Sequence, residues 1–358
     1  MSDDAAKIKI TWEDLDKAEE IDPGQVQSFE NQSWGTVIDN QYLTTDTGTS
    51  GGGSILLKSW FYLGAAGLMG AFLAWAICEP TFEDGYSNRG WGEELMFPLM
   101  AILICVNLGV VESLVERSWK RALLRGLAAI VLGFVLGYIF AGIGGTIFIF
   151  LTIFLVNMGA AAENLATNPI FWICRAIAWA TFGMAGGLIF GIVSKSGKKA
   201  SYGILGGAIG AFIGGLLFDP ICLLTQGGEA SRAIGMSIMG MSTGIAIGLV
   251  ENALKDRWLY VSSGPLAGKQ FILYQNHVTI GKAQSNMIFL FKDPSILECH
   301  ATIEYQANKS IITAFGPVAV SGQPIENKAQ RILKSGDIIQ IGRYTFSYLE
   351  KERNSESL

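Results

Sequence analysis

Apolar positions along the chain gather into long runs, with polar positions filling the gaps between them. Six runs stand out, near residues 59–78, 94–115, 122–150, 169–193, 200–218 and 232–254. Each exceeds the ~18 apolar-rich residues that a helix needs to cross a bilayer. The pattern predicts a glycine-rich transmembrane bundle over residues 55–256 with about six spans. The third run is the irregular one, because its apolar character continues from Ala122 to Met158. A break at Gly144-Gly145 would fit, and so would a long tilted helix or an interfacial extension. Beyond Trp258 the runs shorten and alternate: Phe271–Tyr274, Val278–Gly281, Met287–Phe291, Ala301–Tyr305, Ser310–Ala314, Ile338–Ile341 and Tyr344–Leu349. Turn residues separate them, which predicts an all-β sandwich over 257–351.

Residues 1–54 are acidic and polar and end in the Thr/Gly/Ser run Thr44–Ser54, so a mostly disordered tail is expected. Thr11-Trp12-Glu13-Asp14 has the form of a capping box and predicts one short helix. Residues 352–358 read as a second tail.

Charge sets the expected topology. Arg117, Lys120, Arg121 and Arg125 follow the second run, and Lys195, Lys198 and Lys199 follow the fourth. The loops 79–93, 157–168 and 219–231 hold Arg89 as their only basic residue. The positive-inside rule then places both termini in the cytoplasm. Splitting the third run into two spans would put Lys195–Lys199 outside, so it is expected to cross once.

The runs resemble one another. Arg175-Ala-Ile opens the fourth and Arg232-Ala-Ile the sixth, and Gly183, Gly187 and Gly191 keep register with Gly240, Gly244 and Gly248. Gly67-Leu-Met-Gly70-Ala71-Phe72, ending at Glu79-Pro80, parallels Gly207-Ala-Ile-Gly210-Ala211-Phe212, ending at Asp219-Pro220. Three tandem hairpins in one orientation account for this. Glycines four apart share a helix face and let another backbone approach, the glycine-zipper mode of membrane packing. A pore or sliding interface is the sharper alternative. Intramembrane charges are the places to look for activity. Glu79 and Asp219 close the outer ends of their helices, and Arg175 and Arg232 open theirs, so pairing across the repeats is expected. Glu112 and Glu251, at the inner boundary, are expected to meet headgroups or basic loops.

Composition narrows the function classes. Half of the 358 residues are hydrophobic and 16% are charged, too apolar for an ordinary soluble protein. The net charge of −5 argues against nucleic acid as a partner. Cys78, Cys105, Cys174, Cys222 and Cys299 are scattered without metal-ligand spacing, and the histidines are only His277 and His300. No nucleophile triad, P-loop or dinucleotide motif is present, so neither a cofactor, a metal nor catalysis is expected.

Val278-Thr-Ile-Gly281-Lys282, Ser285-Asn286-Met-Ile288, Asp293-Pro294-Ser295, His300-Ala-Thr-Ile303, Gly322 with Ile325, Leu333-x-x-Gly336-Asp337 and Ile341-Gly342 with Phe346 resemble a forkhead-associated (FHA) domain. The resemblance covers about 258–351. It implies an eleven-stranded sandwich whose loops bind phosphothreonine peptides, here beside a bacterial inner-membrane bundle. The family's phosphate-gripping Arg is replaced by Lys282, which keeps charge but loses the bidentate fork. Leu297 and Glu298 stand in its serine region, and Gly316-Pro317 in place of its Asn-Gly pair. Lys282, Ser285, Asn286, Ser295 and His300 are the candidate partner-binding residues, with His300 holding the loop. Thr11-x-x-Asp14 and Thr36-x-x-Asp39 resemble the threonine-x-x-acid peptides that FHA domains choose.

Two functions are expected from these observations. One is a non-catalytic membrane scaffold that recruits a cytoplasmic protein, phosphorylated or not, with lipids and a second copy as further partners. The other is a channel or transporter regulated by the FHA-like domain.

Overall fold

The computed structural model describes residues 55–82, 91–160, 165, 167–226 and 228–351. The acidic tail, its Thr11 helix and its two threonine motifs lie outside the described residues, as do Arg89 and the tail 352–358.

Six long helices follow one another: α1 Ser59–Cys78, α2 Trp91–Val115, α3 Trp119–Asn157, α4 Pro169–Val193, α5 Gly197–Leu224 and α6 Gly228–Leu254. Each contains a stretch long and apolar enough to cross a membrane. Helix α3 runs unbroken through Gly144-Gly145 for 39 residues. At ~1.5 Å per residue that is about 58 Å, nearly twice the apolar thickness of a bilayer. Capping marks where two helices begin. The Asn168 side chain accepts from the Ile170 N–H ahead of Pro169, and Ser196 accepts from the Lys199 N–H. The α2–α3 and α4–α5 turns share one geometry. Arg117 and Lys195 both take the left-handed conformation, and Ser118 and Ser196 each donate back to a carbonyl five residues earlier. These are Schellman ends without the usual glycine.

Consecutive helices pack side by side and α6 returns to α1, so the bundle is a closed ring; α2 and α4 also touch across it. Several of its seams are backbone-to-backbone, and two of these match each other. A Cβ at Gly240 would lie 2.6 Å from the Ala71 Cβ and overlap the Gly67 carbonyl; one at Gly183 would lie 2.6 Å from the Ala211 Cβ and overlap the Gly207 carbonyl. The α1–α6 and α4–α5 seams therefore repeat each other's contacts.

The C-terminal domain contains eleven strands among the described residues: β1 Arg257–Ser263, β2 Gln270–Ile272, β3 His277–Gly281, β4 Ile288–Phe289, β5 Ala301–Gln306, β6 Lys309–Ala314, β7 Val318–Val320, β8 Gln323–Ile325, β9 Gln330–Leu333, β10 Ile338–Ile341 and β11 Tyr344–Glu350. They form a six-stranded sheet, β2-β1-β11-β10-β7-β8, and a five-stranded one, β4-β3-β5-β6-β9. Neighbouring strands pair antiparallel, except β3 and β4, which pair parallel. Alternate residues turn inward, as strand geometry requires: Leu259 and Val261, Ile339 and Ile341, Phe346 and Tyr348 fill the core. The buried Tyr348 hydroxyl finds Ser310 Oγ at 2.7 Å. Strands β1, β7, β8 and β9 were not anticipated in the alternating pattern. β7 and β8 are three residues each, too short to display a period. β9 is a polar edge strand with Ile332 facing outward.

Candidate functional site

Three places bring chemically capable side chains together. The first is the loop end of the β-domain. The β3–β4 and β4–β5 loops carry Lys282, Ser285 and Ser295, all exposed. Asn286 and His300, by contrast, are buried. The Asn286 amide donates to the Glu298 carbonyl, tying one loop to the other. His300 Nδ1 accepts from the Leu297 N–H at 3.1 Å, which leaves Nε2 to donate to the Pro317 carbonyl at 3.0 Å. Gly316 is where the chain passes the imidazole, since a Cβ there would collide with the ring. Asp293 organises the β4–β5 loop. It accepts from Ser295 Oγ at 2.6 Å, the Ser295 N–H at 2.9 Å and the Arg343 N–H at 2.8 Å. The Ser295 hydroxyl, then the Arg343 and Ser295 backbone N–H groups, hold its carboxyl below the usual range. The five predicted residues thus divide by role. Lys282 and Ser285 present polar groups outward, Ser295 is exposed but gives its hydroxyl to Asp293, and Asn286 and His300 spend theirs on loop shape. Leu297 is exposed on the same loop, an apolar side chain at the position where the resemblance implies a serine.

The second place is the bundle end far from the β-domain. There Glu79, at the end of α1, meets Arg232 of α6, whose Nε lies 3.1 and 3.2 Å from the two carboxylate oxygens. Asp219 of α5 meets Arg175 of α4 at 3.1 Å. The Arg175 guanidinium lies among Phe148, Phe171, Trp179 and Phe218, 5.1–5.9 Å from each ring centre. Asp219 Oδ2 is buried without a hydrogen-bond partner.

The third place is the junction between bundle and β-domain, to which the sequence offered only a partial clue. Lys199, buried between helices, sits 2.8 Å from both oxygens of Glu112 and 3.9 Å from Glu251. Arg125 completes Glu112 at 3.0 Å. From the β-domain, Tyr274 donates to Glu251 at 2.7 Å and Lys269 reaches Glu116 at 2.8 Å. Burial, reinforced by the Glu251 charge, pushes the Tyr274 hydroxyl well above its ordinary value. Glu112 and Glu251 therefore face basic residues and a tyrosine. Nothing periodic marks Lys269, whose partner lies 153 residues away in the chain.

Comparison with known proteins adds the following. The FHA domain family model matches residues 278–342. None of the curated proteins matches the chain. Similar solved structures include an FHA domain from Chlamydia trachomatis, 26% identical over 27% of this chain and 100% of that one, with TM-score 0.25. The FHA domain of an Arabidopsis thaliana hypothetical protein is 22% identical over 29% and 92%, with TM-score 0.26. The N-terminal FHA domain of S. cerevisiae Rad53p, solved with a phosphothreonine peptide, is 13% identical over 27% and 94%, with TM-score 0.25. The C-terminal domain of this chain is accordingly FHA-like.

Proposed function

We propose that this chain is a non-catalytic membrane adaptor: the helical bundle anchors it, and the FHA-like domain recruits a cytoplasmic protein through its loop end. The observation that carries this is the division of labour in the loops. Asn286, His300 and the Asp293–Ser295 pair hold them in shape while Lys282, Ser285 and Leu297 are presented outward. A shaped, exposed surface on a rigid scaffold suits protein recognition. With Lys282 as the loop's single-point cation and Glu298 exposed nearby, recognition depends weakly, or not at all, on a phosphate.

The topology belongs to the same reading. Arg117, Lys120, Lys195 and Lys198 cluster at the bundle end that carries the β-domain, which supports placing that end in the cytoplasm, in a bacterial inner membrane. Three tandem hairpins are supported by the matched α1–α6 and α4–α5 seams and by the matched pairs Glu79–Arg232 and Arg175–Asp219. Those pairs also motivate the transport alternative, but they neutralise one another, and the seams beside them are closed by backbone contact.

The full chain in nanodiscs, photo-crosslinked from the loop end in native lysate, tests the reading. Partner capture lost on Lys282→Glu and retained after phosphatase treatment is expected. Capture abolished by phosphatase overturns the weak phosphate dependence. No capture, together with solute flux in proteoliposomes that Arg175→Ala abolishes, overturns the adaptor in favour of a transporter.

A further inference from the structure

The β-domain does not hang from α6 by a tether. Its β4 edge and the turns flanking β2 are seated on the ends of α2, α3, α5 and α6, and the contacts are ionic and polar. Lys269 and Glu116 are both almost fully buried, at 3% and 6% side-chain exposure. The second Glu116 oxygen takes Arg121 Nη1 at 3.3 Å. That same nitrogen donates to the Met287 carbonyl at 3.3 Å, and the guanidinium lies 5.9 Å from the Phe289 ring centre. Strand β4 ends the five-stranded sheet. A bare sheet edge is an unpaired row of backbone groups; here Arg121, in the first turn of α3, meets the Met287 carbonyl just before β4, and Arg117 of the α2–α3 turn lies 5.5 Å from the Phe291 ring centre. The other contact runs from Tyr274 to Glu251, then to Lys199 and Glu112, joining the β-domain to α6, α5 and α2.

Two properties of this junction matter together. Its partners are charges, which rehydrate when separated, whereas an apolar joint would expose a greasy face to water. It also shares a strand with the loop end: β4 lies between the loop bearing Lys282 and Ser285 and the loop bearing Ser295.

We propose that Lys269–Glu116–Arg121 and Tyr274–Glu251–Lys199–Glu112 form a reversible ionic latch, which couples the posture of the β4 loops to the packing of the helix ends. When the β-domain lifts, Glu251 loses its hydroxyl donor and Lys199 is drawn from Glu112 towards it. When the helix ends shift, Arg121 lets go of Met287 and β4 loosens. The latch is defined without any partner, so it stands or falls separately from the adaptor reading.

Hydrogen exchange on the full chain in nanodiscs tests it. In the Lys269→Met/Tyr274→Phe double variant, amides in 113–125 and 286–291 are expected to exchange at least about tenfold faster, while β5 and β6 stay protected. Lys269→Arg, which keeps the charge, is expected to behave as the unsubstituted chain. Glu116→Gln alters no β-domain residue and is expected to reproduce the faster exchange at 286–291. Unchanged exchange at 286–291 in both the double variant and Glu116→Gln overturns the latch. Loss of protection in β5 and β6 in both would also overturn it, because the residues would then be supporting the domain's own fold.

Discussion

Replacing Gly183 with alanine adds one carbon to the α4–α5 seam. That carbon would sit 2.5 Å from the Gly207 carbonyl carbon and 2.6 Å from the Ala211 Cβ, and it would overlap the Gly207 oxygen. Ordinary carbon contacts are ~3.5–4.0 Å, so α4 and α5 must part by roughly 1 Å. The obstacle is backbone, which cannot swing aside as a side chain would. Overpacking of this kind costs about 1–3 kcal/mol, and the rigid obstacle puts this case at about 3 kcal/mol. In equilibrium terms that is roughly a hundredfold more unfolded protein. Gly145→Ala is the control: the same chemical change on α3, with nothing within 4 Å of the added carbon. It should be neutral or stabilise by up to about 1 kcal/mol, because alanine is the better helix former. Steric trapping in bicelles measures both variants on one scale. A difference between them below about 1 kcal/mol would refute the claim that close backbone approach, rather than glycine content as such, holds the seam. Gly240→Ala, whose added carbon meets the Ala71 Cβ at 2.6 Å, should match Gly183→Ala if the two seams are copies.

Glu79→Ala removes one carboxylate partner of the mostly buried Arg232 guanidinium and should destabilise the bundle; the Glu79→Ala/Arg232→Ala pair should cost less than the sum of the single changes in the same assay. His300→Ala strands the Leu297 N–H and the Pro317 carbonyl, so a loss of about 1–3 kcal/mol is expected in the denaturation of the β-domain, followed by intrinsic fluorescence. The depressed Asp293 carboxyl implies a pH dependence of known sign. Its contribution is fully present above the unfolded value of 3.8 and is lost as pH falls through the lower folded value. Exchange at 293–296 should therefore quicken on acidification below that point, after correction for intrinsic rates, and Asp293→Asn should remove the dependence. An unaltered acid response in Asp293→Asn would refute it.

The six helices were legible residue by residue because a helix apolar enough to cross a bilayer carries one property continuously along its length, and six runs supplied it. The third run shows the boundary of that reasoning: its composition allowed a break at Gly144-Gly145, and α3 runs through it whole. In the β-domain, long alternating strands such as Ala301–Tyr305 announced themselves, while β7 exists as a ladder partner of β10, and β8 as a partner of β7. The loop residues were identified by their family positions, yet the division between outward groups and inward ties at Asn286 depended on where the Glu298 carbonyl came to lie. The junction was the least legible part. Acids and bases at 112, 116, 121, 199, 251 and 269 have no period, and each could pair with many others along a line of text. Hydropathy and alternation are local properties carried by neighbouring residues, so the chain spells them out in order. Which Glu meets which Lys depends on distances between elements far apart in sequence, and those exist only once the helices have closed their ring and the sandwich has settled against them.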